Sequence, residues 1–172
     1  MEKSTIQRLT PSNINKTNCG IAGAKGDIKG EKMEYRVFED MIVVRLDKGN
    51  EIAKSLMEVA KREGLMLASV SGIGATDDFE VGVFDLERAD YKRFRFGGNH
   101  EIVSLAGNVT TKDGVPYIHL HITCAGEGGK IVGGHLFEAK VSLTAEIFLQ
   151  KGIGVADRLR DETLGINKIR FE

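Results

Sequence analysis

The chain has 172 residues, 41% of them hydrophobic and 28% charged, with 24 Lys+Arg against 25 Asp+Glu and a net charge of −1. That length suits one domain able to bury its own core. The balanced charge excludes the general basic excess with which duplex-binding proteins displace counterions from phosphates.

Residues 1–32 are rich in Ser, Asn, Thr, Lys and Gly and have no apolar periodicity, so a disordered leader is expected there. A single folded domain is expected over 33–150, with 151–172 as a C-terminal extension packing on it. No apolar run is long enough to span a bilayer, and the N-terminus lacks a signal-peptide core. Cys19 and Cys124 make no disulfide framework. A cytoplasmic protein without a membrane partner follows as the expectation.

Glu34–Phe38 and Met41–Leu46 read as two short strands around a turn. Ile52, Leu56, Val59 and Ala60 then recur at i, i+4, i+7 and i+8, which predicts an amphipathic helix over Glu51–Glu63. Asn50 is its expected N-cap, and Lys61-Arg62 before Gly64 its stop. From Leu65 onward the chain is mostly β. Leu67–Ile73 and Phe79–Leu86 are expected as two strands with a bend at Gly74. Tyr91–Phe96 and His100–Thr110 follow as another two. Lys112-Asp113-Gly114 predicts a hairpin turn, Val141–Leu149 a further strand, and Ile169–Phe171 a weak last one. The class expected is α+β, mostly antiparallel sheet with one main helix.

Three of the four histidines fall in the stretch YIHLHITCAGEGGKIVGGHL, Tyr117 to Leu136. Its first part alternates as a strand does, so Tyr117, His119, His121 and Thr123 share one face while Ile118, Leu120 and Ile122 share the other. Two imidazoles therefore stand roughly 6.5–7 Å apart along the strand. Five glycines follow and let the backbone bring His135 back towards them. Three imidazoles on one face suit zinc, iron, copper or nickel and leave coordination positions for water or substrate. The competing reading is a set of interior or interface histidines bonded to backbone or carboxylate. Cys124 falls on the isoleucine face and reads as a buried thiol, with a fourth ligand as the alternative.

Glu146 and Glu101 are the candidate catalytic carboxylates, either to orient a metal-bound imidazole or to act as a base on bound water. Surface carboxylates on a half-solvated sheet are the plainer alternative. The glycine pairs have neither the spacing nor the helix of a phosphate loop. Tyr91-Lys92-Arg93-Phe94-Arg95-Phe96 interleaves aromatic and basic residues as nucleic-acid surfaces do, making Lys92, Arg93 and Arg95 the candidate DNA contacts.

The segments HEIVSLAGNV, PYIHLHITC and GGHLFEAKVSLTAEIFL, in this order, resemble the PPC (plants-and-prokaryotes-conserved) domain over about Met33 to Gln150. The resemblance implies a homotrimer. It also implies a divalent transition metal on His119, His121 and His135, zinc first, with iron and nickel as alternatives. The family is often labelled DNA-binding, yet the AT-hook that accompanies it in plants is absent here. The plant Gly-Arg-Phe-Glu-Ile is Gly98-Asn99-His100-Glu101-Ile102 in this chain. Three functions therefore stand side by side: a trimeric metal-binding domain with DNA as partner, a metal-dependent enzyme, and a metal-free interaction module.

Overall fold

The computed structural model describes residues 25–27 and 33–171. Strands β1 (Lys25–Asp27), β2 (Met33–Phe38) and β3 (Met41–Asp47) form an antiparallel meander. On β3 the alternate residues Ile42, Val44 and Leu46 are fully buried, as the two-residue period requires. Apart from β1, the expected leader lies outside the described residues, and so does Cys19.

Helix α1 (Ile52–Arg62) buries Ile52, Leu56, Val59 and Ala60, the stripe the sequence rhythm predicts. Its N-cap is Glu51, not the expected Asn50. The Glu51 carboxylate accepts from the backbone N–H of Ala53 (3.2 Å), Lys54 (2.7 Å) and Ala139 (3.1 Å). Its longer side chain thus ties the helix start to the sheet, while Asn50 Oδ1 accepts from the Asp47 N–H (2.9 Å) in the preceding turn. Leu65 N–H bonds back to the Ala60 carbonyl, and Gly64 adopts φ +59°, ending the helix as predicted.

Four long strands complete the sheet: β4 (Ala68–Asp85), β5 (Asp90–Lys112), β6 (Val115–Ala125) and β7 (Ile131–Lys151). The order is β1-β2-β3-β7-β4-β5-β6, and β6 pairs back with β7, so the last four strands close on themselves. Every pairing in this sheet is antiparallel, and α1 packs against β6 and β7. The expected α+β class is correct.

The expected breaks at Gly74 and around Gly97–Asn99 are not breaks. β4 and β5 each run through, and β-bulges at Gly72/Gly74 and Thr76/Asp78 absorb the bend. A Cβ at Gly74 would lie 2.6 Å from the Thr144 carbonyl oxygen, so this glycine serves close strand approach, not chain reversal. Asp113 (φ 54°) and Gly114 (φ 76°) form the predicted two-residue hairpin between Lys112 and Val115.

The tail forms a hairpin, β8 (Arg158–Asp161) with β9 (Ile166–Ile169), in place of the single strand expected near Ile169–Phe171. It docks on β5: Thr111 N–H donates to the Ala156 carbonyl (3.0 Å), and Thr111 Oγ1 donates to Asp157 Oδ1 (2.6 Å). Among the described residues no helix is long and apolar enough to cross a membrane.

Candidate metal centre

On β6 the residues Leu120, Ile122 and Cys124 are buried, while His119 and His121 project from the opposite face. β7 returns antiparallel after a tight turn in which Gly128 and Gly129 have positive φ. That return sets His135 directly opposite His121 in the register. Gly133 and Gly134 then lie where β7 is squeezed between two strands. A Cβ on Gly133 would collide with the Ile122 carbonyl oxygen of β6, and one on Gly134 would lie 2.7 Å from the Gly82 oxygen of β4. The glycine pair therefore works as a seam within a strand as well as a sequel to a turn.

The three rings converge. Their centroids are 5.2 Å (His119–His121), 4.9 Å (His119–His135) and 5.5 Å (His121–His135) apart. One ligand nitrogen from each lies within 4.8 Å of the others. His135 Nδ1 is buried and has no hydrogen-bond partner. An orphaned imidazole nitrogen is costly unless something fills its lone pair, and a cation held by neutral imidazoles fits it. Tyr91 stacks on the His135 ring at 4.8 Å, and Phe137 meets it edge-on at 4.9 Å, forming an apolar wall.

That wall sets the electrostatics. Burial, reinforced by the charges of His119, His121 and Arg93, pushes the His135 imidazole down to about 4. Burial, then Arg158 and His121, also holds His119 below the usual histidine range. Both shifts favour the neutral ring that a metal needs. In the unfolded chain these imidazoles titrate near ~6.5. Below that pH the unfolded state takes up protons that the folded state refuses, so stability is full above it. Stability then declines as pH falls, and His135 adds no further loss below about 4. Urea unfolding of metal-free protein is therefore expected at a lower midpoint at pH 4.5 than at pH 7.5. His135→Gln should shrink that difference; an unchanged difference would contradict a neutral, buried His135.

The other predicted residues are not brought to the histidines. Glu146 is exposed on β7, opposite Arg45 and Ile73 and eleven residues from His135, roughly 35 Å along an extended strand. Glu101 is exposed on β5 beside a cleft of about 720 Å³ with His100 and Glu127. Its β6 register partner is Ala125, four residues beyond His121. Neither carboxylate can orient these imidazoles within one chain, because the strands that carry them are much longer than the sequence suggested.

Lys92, Arg93 and Arg95 do not form a free basic row. Arg95 forks onto Asp78 (2.8 and 2.7 Å) and reaches Glu138 (3.3 Å). Arg93 binds Glu80 (3.2 Å) and lies 3.8 Å over the Phe137 ring, and Lys92 sits 5.6 Å over Phe94. Cys124 is fully buried, and burial pushes its thiol up to about 12, which disfavours the thiolate a fourth ligand needs. Phe137 escaped the sequence reading, and Tyr91 was read only within the aromatic-basic stretch, not as a wall of this site. Phe137, two residues beyond His135 on a strand, carried a legible signal; Tyr91 had none.

A family model described as the Plants and Prokaryotes Conserved (PCC) domain matches residues 33–152. A Pyrococcus horikoshii plant- and prokaryote-conserved protein is similar to this chain at 31% identity, with a TM-score of 0.73 over 85% of this chain and 99% of its own. A metal-containing protein from Archaeoglobus fulgidus shares 31% identity over 81% and 98%, with a TM-score of 0.71. A Bacteroides thetaiotaomicron protein named as a candidate DNA-binding protein shares 27% over 81% and 97%, with a TM-score of 0.78. No curated protein matches the chain.

Proposed function

The chain belongs to the Plants and Prokaryotes Conserved domain family, and on that footing we propose that it is a homotrimeric metal-binding domain. His119, His121 and His135 hold one divalent transition ion, zinc before iron or nickel. The observation that carries this reading is the convergence of three imidazole nitrogens within 4.8 Å, with His135 Nδ1 buried and unpartnered. The metal content of the Archaeoglobus relative supports it. Three protein ligands leave positions free on such an ion, yet the two carboxylates expected as its base, Glu101 and Glu146, lie away from the histidines on their strands. Binding, and not hydrolysis, is the function the geometry favours. A DNA partner is supported by the naming of the Bacteroides relative; the ion-paired Arg93 and Arg95 rank it second.

Zinc that binds only the folded state, at about a hundred times its Kd, stabilises by ~2.7 kcal/mol. For a domain of this size that raises Tm by roughly 5–10 °C. Thermal unfolding of chelator-treated protein with and without zinc is expected to show that rise in the wild type and lose it in His121→Ala. An equal rise in both would place the zinc elsewhere.

A further inference from the structure

The candidate centre is built from neutral ligands that supply no negative charge to a bound cation, and the buried charge beside it is positive. Arg158, at the head of β8, is only 4% exposed. Its Nε donates to Thr110 Oγ1 (2.7 Å), one Nη to the Asn167 carbonyl (2.8 Å) and the other to Asn108 Oδ1 (2.9 Å). All three acceptors are uncharged. A guanidinium carries five N–H donors, so two remain without a partner among the described residues. Burying a cation with no counter-charge is expensive.

Asn108 lies opposite His119 in the β5–β6 register, and Thr110 opposite Tyr117. Directly paired residues share a face, so Arg158 covers the face that carries Tyr117, His119 and His121. Its guanidinium carbon is 5.0 Å from the Tyr117 ring centroid. Next to it, Asn167 Oδ1 is buried and unpartnered, and Asn167 Nδ2 reaches the Tyr117 hydroxyl at 3.4 Å. The other cation near the cluster, Arg93, is already neutralised by Glu80. A metal on three imidazoles together with Arg158 would leave this face strongly cationic, and Arg158 has no acidic partner among the described residues.

We propose that the face shared by the three histidines and Arg158 takes a small carboxylate ligand, whose charge answers the metal and the guanidinium together. One of those two cations rests on the metal reading above; the other, Arg158, is part of the chain itself. A single guanidinium fork matches a planar carboxylate, whereas a phosphate dianion calls for more basic groups than this face offers. Arg158 lies beyond the residues that the family model matches, on the tail hairpin that docks on β5.

The test is calorimetric titration of malonate, its neutral analogue malonamide and inorganic phosphate into the zinc-loaded full chain. Malonate is expected to bind, malonamide not, and phosphate more weakly than malonate. Arg158→Met should weaken malonate at least about tenfold without weakening zinc, and Arg158→Lys should fall between. Should Arg158→Met fail to fold, Arg158→Lys carries the comparison. Malonate affinity independent of Arg158, equal binding of malonamide, a preference for phosphate or no malonate binding would each overturn the proposal, leaving Arg158 as a pin for the hairpin. If the wild type binds no zinc, the metal reading fails by itself, and malonate titrated into the metal-free chain then decides. Binding that depends on Arg158 would keep the carboxylate site, and its absence would remove it.

Discussion

Gly107→Ala is expected to destabilise the fold by about 3 kcal/mol and to weaken metal binding in the same variant. Gly107 sits on β5 opposite Leu120. A Cβ there would collide with the His119 carbonyl oxygen and lie 2.9 Å from Leu120 Cδ2 and 3.0 Å from the His119 carbonyl carbon. Two of these contacts are backbone, so no rotamer change relieves them. Only a shift of β6 does, and β6 carries both His119 and His121 away from His135 when it moves. Gly114→Ala is the matched control. Its φ of +76° makes any side chain strained, but nothing lies within 4 Å of the added carbon, so a loss of about 1 kcal/mol with normal metal affinity is expected. Urea unfolding with zinc titration separates the two. Wild-type stability in Gly107→Ala would mean that the strands are not packed this closely.

Ile73→Asp with Phe148→Asp is expected to convert the proposed trimer into monomers while leaving each domain folded. Ile73, Val103, Leu143 and Phe148 are 58, 52, 72 and 42% exposed. They surround the bulged region of β4, where Ile73 faces the stretch of β5 between Ile102 and Leu105. Such a patch of large apolar side chains on an outer sheet face is the surface the proposed trimer would bury. Because these side chains point away from the core, aspartate there costs little in an isolated domain. Two unpaired carboxylates buried in each copy of an interface would cost several kcal/mol each. Sedimentation should therefore give three times the 18.8 kDa chain mass for the wild type and one chain mass for the variant. A monomeric wild type, or an undisturbed trimer in the variant, would reject this face as the interface.

The histidine strand was legible because a two-residue period alone decides which side chains share a face, and Tyr117–Cys124 alternates without interruption. His135 was legible as a partner because its return needs only a local glycine turn. The carboxylates were hard to place for the opposite reason. Glu146 was expected on a strand over Val141–Leu149, but β7 runs from Ile131 through Gly133 and Gly134 to Lys151, so its distance from His135 along one strand was hidden. The arginines of β5 read as a basic row because their acidic partners, Asp78, Glu80 and Glu138, come from two other strands. Arg158 meets Asn108 and Thr110 about fifty residues back in the chain, a contact no local pattern encodes. Glu51 displaced Asn50 as the cap because it also reaches Ala139, which is again a tertiary reason.

The most direct measurement is the metal content of untagged, purified protein by mass spectrometry, alongside His119→Ala/His121→Ala. A transition-metal site on these imidazoles predicts about one zinc, iron or nickel ion per chain in the wild type, and loss of nearly all of it in the variant with the assembly intact. Absence of metal from both proteins, with the same assembly in each, would contradict the metal-binding function.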